Sequence, residues 1–335
     1  MIDSFSKNNN LPNFRKKQFD TQYYKNTISS FDELSNWPKN LRESLKQDVK
    51  FTSISEYKVF GDINKDTYKV LFKRLSDEKL FESVLLRHKD GRNTVCVSCM
   101  IGCPVGCLFC ATGKMGFISN LTSNEIVDQI LYFQRKLKTI EHKVTNVVFM
   151  GMGEPLINLS EVMDAIQIIT NPEKLALSVR RLTISTCGVI SGIRELIRLD
   201  FKGRLAISLH APNQILRERL IPMAKINRLD DLMDVLDDYV EATNQRVSYE
   251  YILLKGVNDT KQCAQELSNL LTGRLAHVNL IKYNTISEGE FSRSNQESID
   301  KFCAVLKSFN LNYTVRVSLG SDIDGACGQL TTKNS

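Results

Sequence analysis

The sequence predicts an α/β protein whose core is a partial (β/α)6-type TIM barrel, preceded by a small helical domain and a β-hairpin. From Val144 onward, short β-branched apolar runs alternate with longer segments of helical period. Repeats of this kind form a parallel sheet with helices outside, and their number suits a barrel better than a helical bundle. The expected strands are Val144–Met150, Arg181–Thr186, Arg204–Leu209, Val247–Leu254, His277–Tyr283 and Tyr313–Val317.

Helices are expected between these strands, and one helix is expected before the first of them. Thr122-Ser123-Asn124-Glu125 has the pattern of a capping box, which marks the start of a helix. Ile126, Ile130, Phe133 and Leu137 then lie on one face of that helix. The other expected helices are Leu159–Ile169, Ile193–Leu199, Leu229–Tyr239, Ala264–Leu271 and Gln296–Phe309.

The chain before the barrel divides into two regions. Residues 1–75 are polar and lysine-rich, which indicates a helical N-terminal accessory domain for substrate docking. Its helices are expected near Phe31–Asp48 and Lys65–Leu75. Residues 76–95 are expected to form a β-hairpin extension, because two apolar-rich runs flank a Lys-Asp-Gly turn. These two runs are Phe81–Arg87 and Arg92–Ser98.

The predicted barrel core spans residues 89–322, and residues 323–335 form a separate C-terminal segment. A chain of 335 residues is long enough for one large domain and one small accessory domain. No run approaches the roughly 20 apolar residues that a membrane helix needs. The first residues also lack a basic region followed by an apolar one, so we expect a cytoplasmic protein with reduced cysteines.

The formal net charge of +6 is compatible with a nucleic-acid partner but is weak evidence for one. Local basic clusters are candidate phosphate contacts, and the ordinary alternative for each is a solvated charged face. These clusters are Arg15-Lys16-Lys17, Arg180-Arg181 and the pair Arg217 and Arg219.

Five of the nine cysteines fall within fifteen residues, from Cys96 to Cys110. Cys103, Cys107 and Cys110 have the spacing Cys-x3-Cys-x2-Cys, and three thiolates leave one iron of a 4Fe-4S cluster open to a further ligand. Zinc is the alternative, bound by Cys96, Cys99, Cys107 and Cys110, with Cys103 left over. A disulfide framework fits poorly in a long chain without a secretory signal.

Polar residues follow several of the predicted strands, where ligands of such barrels bind. Glu154, in Gly151-Met152-Gly153-Glu154-Pro155, is suited to accept hydrogen bonds from a cationic amine. The amide of Asn284 is suited to a purine edge. The alternative at each position is a polar residue that satisfies local backbone. The remaining candidates are Gly153, Ser185, Ser208, Leu209 and His210.

The C-terminal segment carries one cysteine, Cys327, between the small residues Gly325, Ala326 and Gly328. Such surroundings allow a thiol to move and to approach other groups closely. The alternative is an ordinary loop thiol, and sequence physics alone leaves both open. Cys263 and Cys303 lie in expected helices and are interpreted as core residues or as residues without a specific role.

Together these residues resemble the RlmN/Cfr family of radical S-adenosylmethionine (SAM) RNA methyltransferases, over residues 80 to 330. Cys99, Met100 and Gly325 depart from the usual family pattern. The matching stretches are Cys96–Ser98, Ile101–Gly113, Phe149–Leu156, Ile184–Thr186, Ser208–His210, Val278–Ile281 and Asp322–Leu330.

The resemblance implies a radical SAM core, a 4Fe-4S cluster and two SAM molecules per turnover. Cys327 would accept a methyl group as S-methylcysteine, and Cys96 would later form a disulfide with Cys327 to release the product. Glu82 would act as proton acceptor. The cluster ligands would be Cys103, Cys107 and Cys110, and the SAM-binding residues would be Gly153, Glu154, Ser185, Ser208, Leu209, His210 and Asn284.

The substrate implied by the resemblance is an adenosine of 23S ribosomal RNA near the peptidyl transferase centre. A transfer RNA anticodon-loop adenosine is a further candidate, and the N-terminal domain would dock the RNA. The runs Glu154–Leu156 and Ala111–Gly116 favour methylation of carbon 2 over the carbon 8 chemistry of Cfr-type resistance enzymes. A flavodoxin- or ferredoxin-like electron donor and a monomer are expected.

Two other classes remain open. One is a radical SAM enzyme of a different reaction, which would need neither Cys96 nor Cys327. The other is a non-enzymatic zinc module that binds RNA.

Overall fold

The computed structural model describes residues 2–286, 289–316 and 319–332, and its centre is one sheet of ten strands. Two further strands form a separate antiparallel pair. The strands of the described residues are β1 (Ile54–Gly61), β2 (Thr67–Arg74), β3 (Leu80–Arg87), β4 (Asn93–Cys96), β5 (Met100–Gly102), β6 (Phe117–Asn120), β7 (Asn146–Phe149), β8 (Leu182–Thr186), β9 (Arg204–Ser208), β10 (Val247–Leu253), β11 (Ala276–Lys282) and β12 (Tyr313–Arg316).

The barrel consists of seven parallel neighbours in the order β4-β7-β8-β9-β10-β11-β12. All six strands expected after residue 140 are present, although Val317, expected at the end of the last one, lies outside the described residues. The seventh parallel strand is β4, which also pairs antiparallel with β3. The predicted hairpin is therefore confirmed, and its second strand is also the first strand of the barrel.

Helices cover the outside of the barrel, as the alternation predicted. The short helix α8 was not expected, because seven residues are too few to show a helical period. No described helix has both the length and the apolar character needed to cross a membrane. The described helices are α1 (Asp3–Asn8), α2 (Asn13–Asp20), α3 (Lys39–Asp48), α4 (Ala111–Met115), α5 (Ser123–Lys138), α6 (Leu159–Thr170), α7 (Ile190–Arg198), α8 (Gln214–Leu220), α9 (Leu229–Thr243), α10 (Lys261–Leu271) and α11 (Gln296–Ser308).

The first 75 residues are only partly helical. Helices α1 to α3, a π-helical turn at Thr21–Lys25 and a 3-10 turn at Phe31–Glu33 precede the first strand. The helix expected at Lys65–Leu75 is wrong, because this segment is strand β2, hydrogen-bonded to both β1 and β3. Strand β2 is buried on both faces, so it lacks the alternation that identifies a half-buried strand. Strands β1 to β3 thus form an antiparallel extension that continues the barrel sheet.

The N-terminal helical segment is attached to helix α5 through Asp128. The Asp128 carboxylate is buried and accepts hydrogen bonds from Tyr23 Oη (3.0 Å), Ser53 N (2.7 Å), Ser53 Oγ (2.6 Å) and Thr52 Oγ1 (3.1 Å). Side chains of this segment, such as Phe19, belong to the same hydrophobic core as the barrel. The segment is therefore packed against the barrel rather than tethered to it.

Candidate active site

The predicted cluster ligands Cys103, Cys107 and Cys110 lie in the loop between β5 and α4. All three line one cavity at the carboxyl ends of the barrel strands, together with the ends of β7, β8 and β9. Two backbone hydrogen bonds fix the loop, from Leu108 N to Leu220 O (3.1 Å) and from Cys103 N to Gly116 O (2.9 Å). The fold thus brings together the three thiols that the spacing selected.

Burial raises the pKa of all three thiols, that of Cys103 to about 12. The proximity of the thiols to one another adds to the shift for Cys103 and Cys107. Iron is bound by thiolates, so the positive charge of a bound cluster would offset the cost of burying them. Each iron of a cube takes its own ligand, and three separate thiols around one cavity fit three of its corners.

The zinc alternative requires Cys96 and Cys99 to join Cys107 and Cys110. Cys99 is buried away from this cavity, with its N–H donating to Met152 O (3.0 Å). Cys96 faces a neighbouring cavity. Within the described ranges, no three cysteine, histidine or acidic side chains form a group that could hold a single ion. The described residues therefore do not support a zinc site of this composition.

Glu154 is fixed at the carboxyl end of β7 by backbone of two segments. Its Oε2 accepts from Cys187 N (2.7 Å), which follows β8, and its Oε1 accepts from Leu156 N (3.0 Å). Burial raises the pKa of this carboxyl group, while these hydrogen bonds oppose the shift. A carboxylate has further lone pairs, so Glu154 can also accept hydrogen bonds from a bound amine.

Gly153 lines the cavity, but close packing accounts for its lack of a side chain. A Cβ atom here would stand 2.6 Å from Met100 Cβ and 3.0 Å from Cys99 Sγ. The backbone is also in the left-handed region, with φ of 106°. The same packing encloses the side chain of Cys99.

His210 follows β9 and is held as a neutral imidazole. Its Nδ1 accepts from Ile252 N (3.0 Å), and its ring is nearly perpendicular to that of Phe109, in the loop of Cys103, Cys107 and Cys110, with centroids 4.8 Å apart. Burial, with a smaller contribution from Arg217, lowers the pKa of His210 to about 3. Ser208 lines the same cavity, whereas the Leu209 side chain is fully buried outside it.

Asn284 provides an unused hydrogen-bond acceptor beside Cys327. Its Nδ2 donates to Cys327 O (3.3 Å), while its buried Oδ1 has no partner in the described part of the chain. Buried polar atoms are normally paired, so this oxygen is available to a bound ligand. Ser185 lines the cavity that Cys103, Cys107 and Cys110 also line. Asn284 and Ser185 thus provide polar groups that SAM would require.

Cys96 and Cys327 line one cavity of about 670 Å³ inside the barrel. This cavity is bounded by the β3–β4 hairpin on one side and by β12 on the other. Cys327 is accessible to solvent there, and it also lines the cavity of the cluster loop. The protein surroundings of the two sulfur atoms disfavour the charged thiolates and raise the pKa of both thiols, and the nearby Arg316 guanidinium opposes the shift. The fold therefore brings together two cysteines that are far apart in sequence.

Sequence reasoning missed an ion pair beside these thiols. Arg316 Nη1 lies 3.3 Å from Glu250 Oε2, and Asn279 Nδ2 donates to Glu250 Oε1 (2.8 Å). A signal was available, because Glu250 and Arg316 each stand inside an apolar strand run, where charged residues are rare unless paired.

Glu82, the expected proton acceptor, lies in an adjacent cavity rather than beside Cys96. Its carboxylate pairs with Lys69 and accepts from Thr331 N (2.9 Å). Burial raises the pKa of Glu82, and Lys69 opposes that shift.

Arg217 is not a phosphate contact, which corrects one of the basic clusters. Its side chain is fully buried, and its Nη2 donates to Cys187 O near the cluster loop. Sequence alone could not distinguish it from the exposed Arg219 of the same helix. The two exposed residues Arg180 and Arg181 remain candidates.

The parallel barrel, the three-thiol loop and the glycine-rich end of β7 define a radical SAM enzyme. Residues 97–265 match the model of the Radical SAM superfamily. A crystal structure of a radical SAM methyltransferase from Sphaerobacter thermophilus superposes with a TM-score of 0.94 at 38% identity, covering 98% of this chain and 95% of that one.

Two curated relatives extend the match to nearly the whole chain. The probable dual-specificity RNA methyltransferase RlmN of Carboxydothermus hydrogenoformans is 42% identical over 332 residues, which cover 99% of this chain and 96% of the relative. The RlmN protein of Clostridium novyi, described in the same words, is 40% identical, with coverages of 96% and 92%. The chain belongs to the RlmN family of radical SAM RNA methyltransferases. It acts on RNA and uses a 4Fe-4S cluster with SAM.

Proposed function

We propose that the enzyme methylates carbon 2 of an adenosine in 23S ribosomal RNA, with a transfer RNA adenosine as a second substrate, through a methylcysteine at Cys327. One observation carries the proposal: Cys327 lies between Cys96 and the cluster loop and lines the cavities of both. A radical SAM enzyme that used neither cysteine would have no need of this placement.

In the first step, the Cys327 sulfur attacks the methyl group of one SAM. A sulfur–carbon bond forms, S-adenosylhomocysteine leaves, and the thiol proton is lost. Arg316 supports this step, because a nearby guanidinium favours the thiolate. The orphaned Oδ1 of Asn284, close to Cys327, is suited to orient the bound SAM or the adenine.

Cys103, Cys107 and Cys110 would hold the cluster, which would supply the one electron needed for reductive cleavage of a second SAM into methionine and a 5′-deoxyadenosyl fragment. A hydrogen atom is then removed from the Cys327 methyl group, and its carbon adds to the ring. Glu82, which lies in the adjacent cavity and pairs with Lys69, would take the proton of that ring carbon, and the unpaired electron of the adduct would pass to the oxidised cluster, so that the ring becomes aromatic again. Cys96 attacks the sulfur of Cys327; a disulfide forms, the bond between sulfur and the transferred carbon breaks, and that carbon takes a proton as the base leaves.

Carbon 2 of adenine is an electrophilic position, so direct transfer from electrophilic SAM is chemically mismatched. A carbon radical tethered to Cys327 avoids the mismatch. The adenosine must be unstacked to reach the thiols. Basic residues around the cavity of Cys96 support an RNA substrate through phosphate contacts. They are Arg87, Lys89, Arg92 and Arg204.

Mass spectrometry of the reconstituted enzyme tests the cysteine roles. Incubation with SAM should add one methyl group to the peptide that contains Cys327. Cys327→Ala should lack both the methyl group and RNA methylation, whereas Cys96→Ala should trap enzyme covalently bound to RNA. Cys303→Ala, in helix α11, is the matched control and should retain activity. An unmethylated Cys327 in active enzyme would contradict the mechanism.

Nucleoside mass spectrometry of RNA from cells with and without the gene tests the substrate. The proposal expects 2-methyladenosine to disappear from 23S ribosomal RNA, and from transfer RNA, when the gene is deleted. Loss of 8-methyladenosine instead would assign the Cfr-type reaction.

A cytoplasmic location, a monomer and an external flavodoxin- or ferredoxin-like donor complete the proposal. Light scattering of the purified enzyme and SAM cleavage assays with each donor test the last two points.

A further inference from the structure

A buried ion pair lies beneath the loop that carries Cys327. Lys69 of β2 and Glu82 of β3 approach to 2.8 Å between Nζ and Oε1, and their side chains are only 5% and 2% exposed. The Phe60 ring covers Lys69, with 4.5 Å between Nζ and the ring centroid. Such a pair has lost its hydration, so its remaining hydrogen-bonding capacity must be met by protein.

The backbone of the C-terminal loop meets that need at two points. Lys69 Nζ donates to Asp324 O (3.2 Å), and Glu82 Oε2 accepts from Thr331 N (2.9 Å). Cys327 lies between these two points in the chain. The two charges therefore hold both ends of the short segment that carries the thiol.

The opposite side of the segment is bound to the cluster loop. Ala111 N donates to Gly328 O (2.8 Å), and Thr112 Oγ1 donates to Leu330 O (2.7 Å). These contacts follow directly after the cluster ligand Cys110. The position of Cys327 relative to the cluster thus depends on anchors from two sides, the strand extension and the cysteine loop.

We propose that Lys69 and Glu82 form a clamp that positions Cys327 for methyl acceptance, in addition to any role of Glu82 as a proton acceptor. The proposal rests on the proposed methylcysteine mechanism. It also explains why charged residues are buried in β2 and β3, since apolar residues of similar size would serve the sheet equally well. Lys69 is accordingly a positioning residue.

Hydrogen–deuterium exchange of the anaerobically reconstituted enzyme tests the clamp without measuring turnover. Lys69→Met removes the charge and keeps the chain length. We expect amides of residues 324–331 to exchange about tenfold faster in this variant, because one charge-assisted anchor and the partner of Glu82 are lost. Lys73→Met is the matched control, since Lys73 lies on the same strand and pairs with Glu78 at the surface.

Unchanged exchange of residues 324–331 in Lys69→Met would overturn the clamp. If this variant fails to fold, Glu82→Gln carries the same comparison, because it keeps the shape and an acceptor oxygen but removes the charge. Faster exchange is then expected at Thr331, and wild-type exchange at that amide would again refute the proposal.

The rate of Cys327 methylation by SAM distinguishes positioning from proton transfer. This half-reaction removes no proton from adenine, so a purely proton-accepting Glu82 predicts wild-type rates in both variants. The clamp predicts rates about tenfold lower in Lys69→Met and Glu82→Gln. If wild-type Cys327 accepts no methyl group, the proposed function fails, while the exchange measurement still decides whether the clamp exists.

Discussion

His210 illustrates how a single buried residue acquires a fixed protonation state. The backbone N–H of Ile252 points at Nδ1, so that nitrogen must keep its lone pair and the ring proton must sit on Nε2. Burial also disfavours the charged ring, and the pKa of His210 falls to about 3. The neutral ring can therefore pack against the cysteine loop without adding charge beside it.

This protonation state makes stability depend on pH in a defined direction. An unfolded histidine has a pKa of about 6.5, so the unfolded chain binds a proton at this ring below that pH. In the folded chain the ring stays unprotonated down to about pH 3. Between pH 7 and pH 5 the wild type should lose about 2 kcal/mol through this residue. Urea unfolding of cluster-free protein at both pH values measures the loss.

His210→Gln keeps an acceptor for the Ile252 amide but cannot titrate. Its loss of stability between pH 7 and pH 5 should be about 2 kcal/mol smaller than that of the wild type. An identical pH dependence in the two proteins would show that His210 is not the group responsible.

Site residues close together in sequence could be predicted, whereas those that meet only in the folded sheet could not. The spacing selected Cys103, Cys107 and Cys110, and the fold brings these three thiols to one cavity, because residues of one loop form a local pattern. The pairing of Glu250 with Arg316 could not be predicted, since the partners belong to different strands and meet only in the folded sheet. The prediction that Arg217 contacts phosphate was wrong for the same reason, because tertiary packing decides which side chains are buried.

Helix α5 shows a sequence signal that the structure reproduces in detail. Thr122 Oγ1 accepts from Glu125 N (3.3 Å), and Glu125 Oε2 accepts from Thr122 N (2.8 Å). The prediction succeeded because both halves of a capping box lie within four consecutive residues. Strand β2 was misassigned because its strand pairing is with segments outside its own sequence window.

The capping box should contribute measurably to stability. Thr122→Ala removes the acceptor for the Glu125 amide and should lower the free energy of unfolding by about 1 kcal/mol. Thr122→Ser keeps the hydroxyl and is the control, with little expected change. Chemical denaturation of both variants provides the comparison, and equal stabilities would argue against a contribution from the cap.

At the scale of the whole molecule, Asp128 joins the N-terminal helical segment to the barrel. Asp128→Ala leaves the Ser53 amide without its acceptor and removes one of the two acceptors of the Tyr23 hydroxyl, which should cost about 3 kcal/mol. We expect faster proteolysis within the first 50 residues, measured by timed digestion and peptide mass spectrometry. Asp164→Ala, at an exposed position of α6, is the control and should behave as the wild type. Equal digestion rates would mean that other contacts hold the segment.

The alternation of strands and helices predicted the barrel, but it could not predict whether the barrel closes. Closure depends on whether the first and last strands meet, and no local pattern records that distance. In the described part of the chain, β12 pairs only with β11, so the ring of parallel strands has a gap facing the β3–β4 hairpin.

That gap has a topological consequence for a polymeric substrate. An adenosine inside a long RNA continues into chain on both sides, so it cannot be threaded through a closed ring. A lateral opening that reaches the two thiols allows such a nucleotide to enter sideways while the rest of the RNA stays outside.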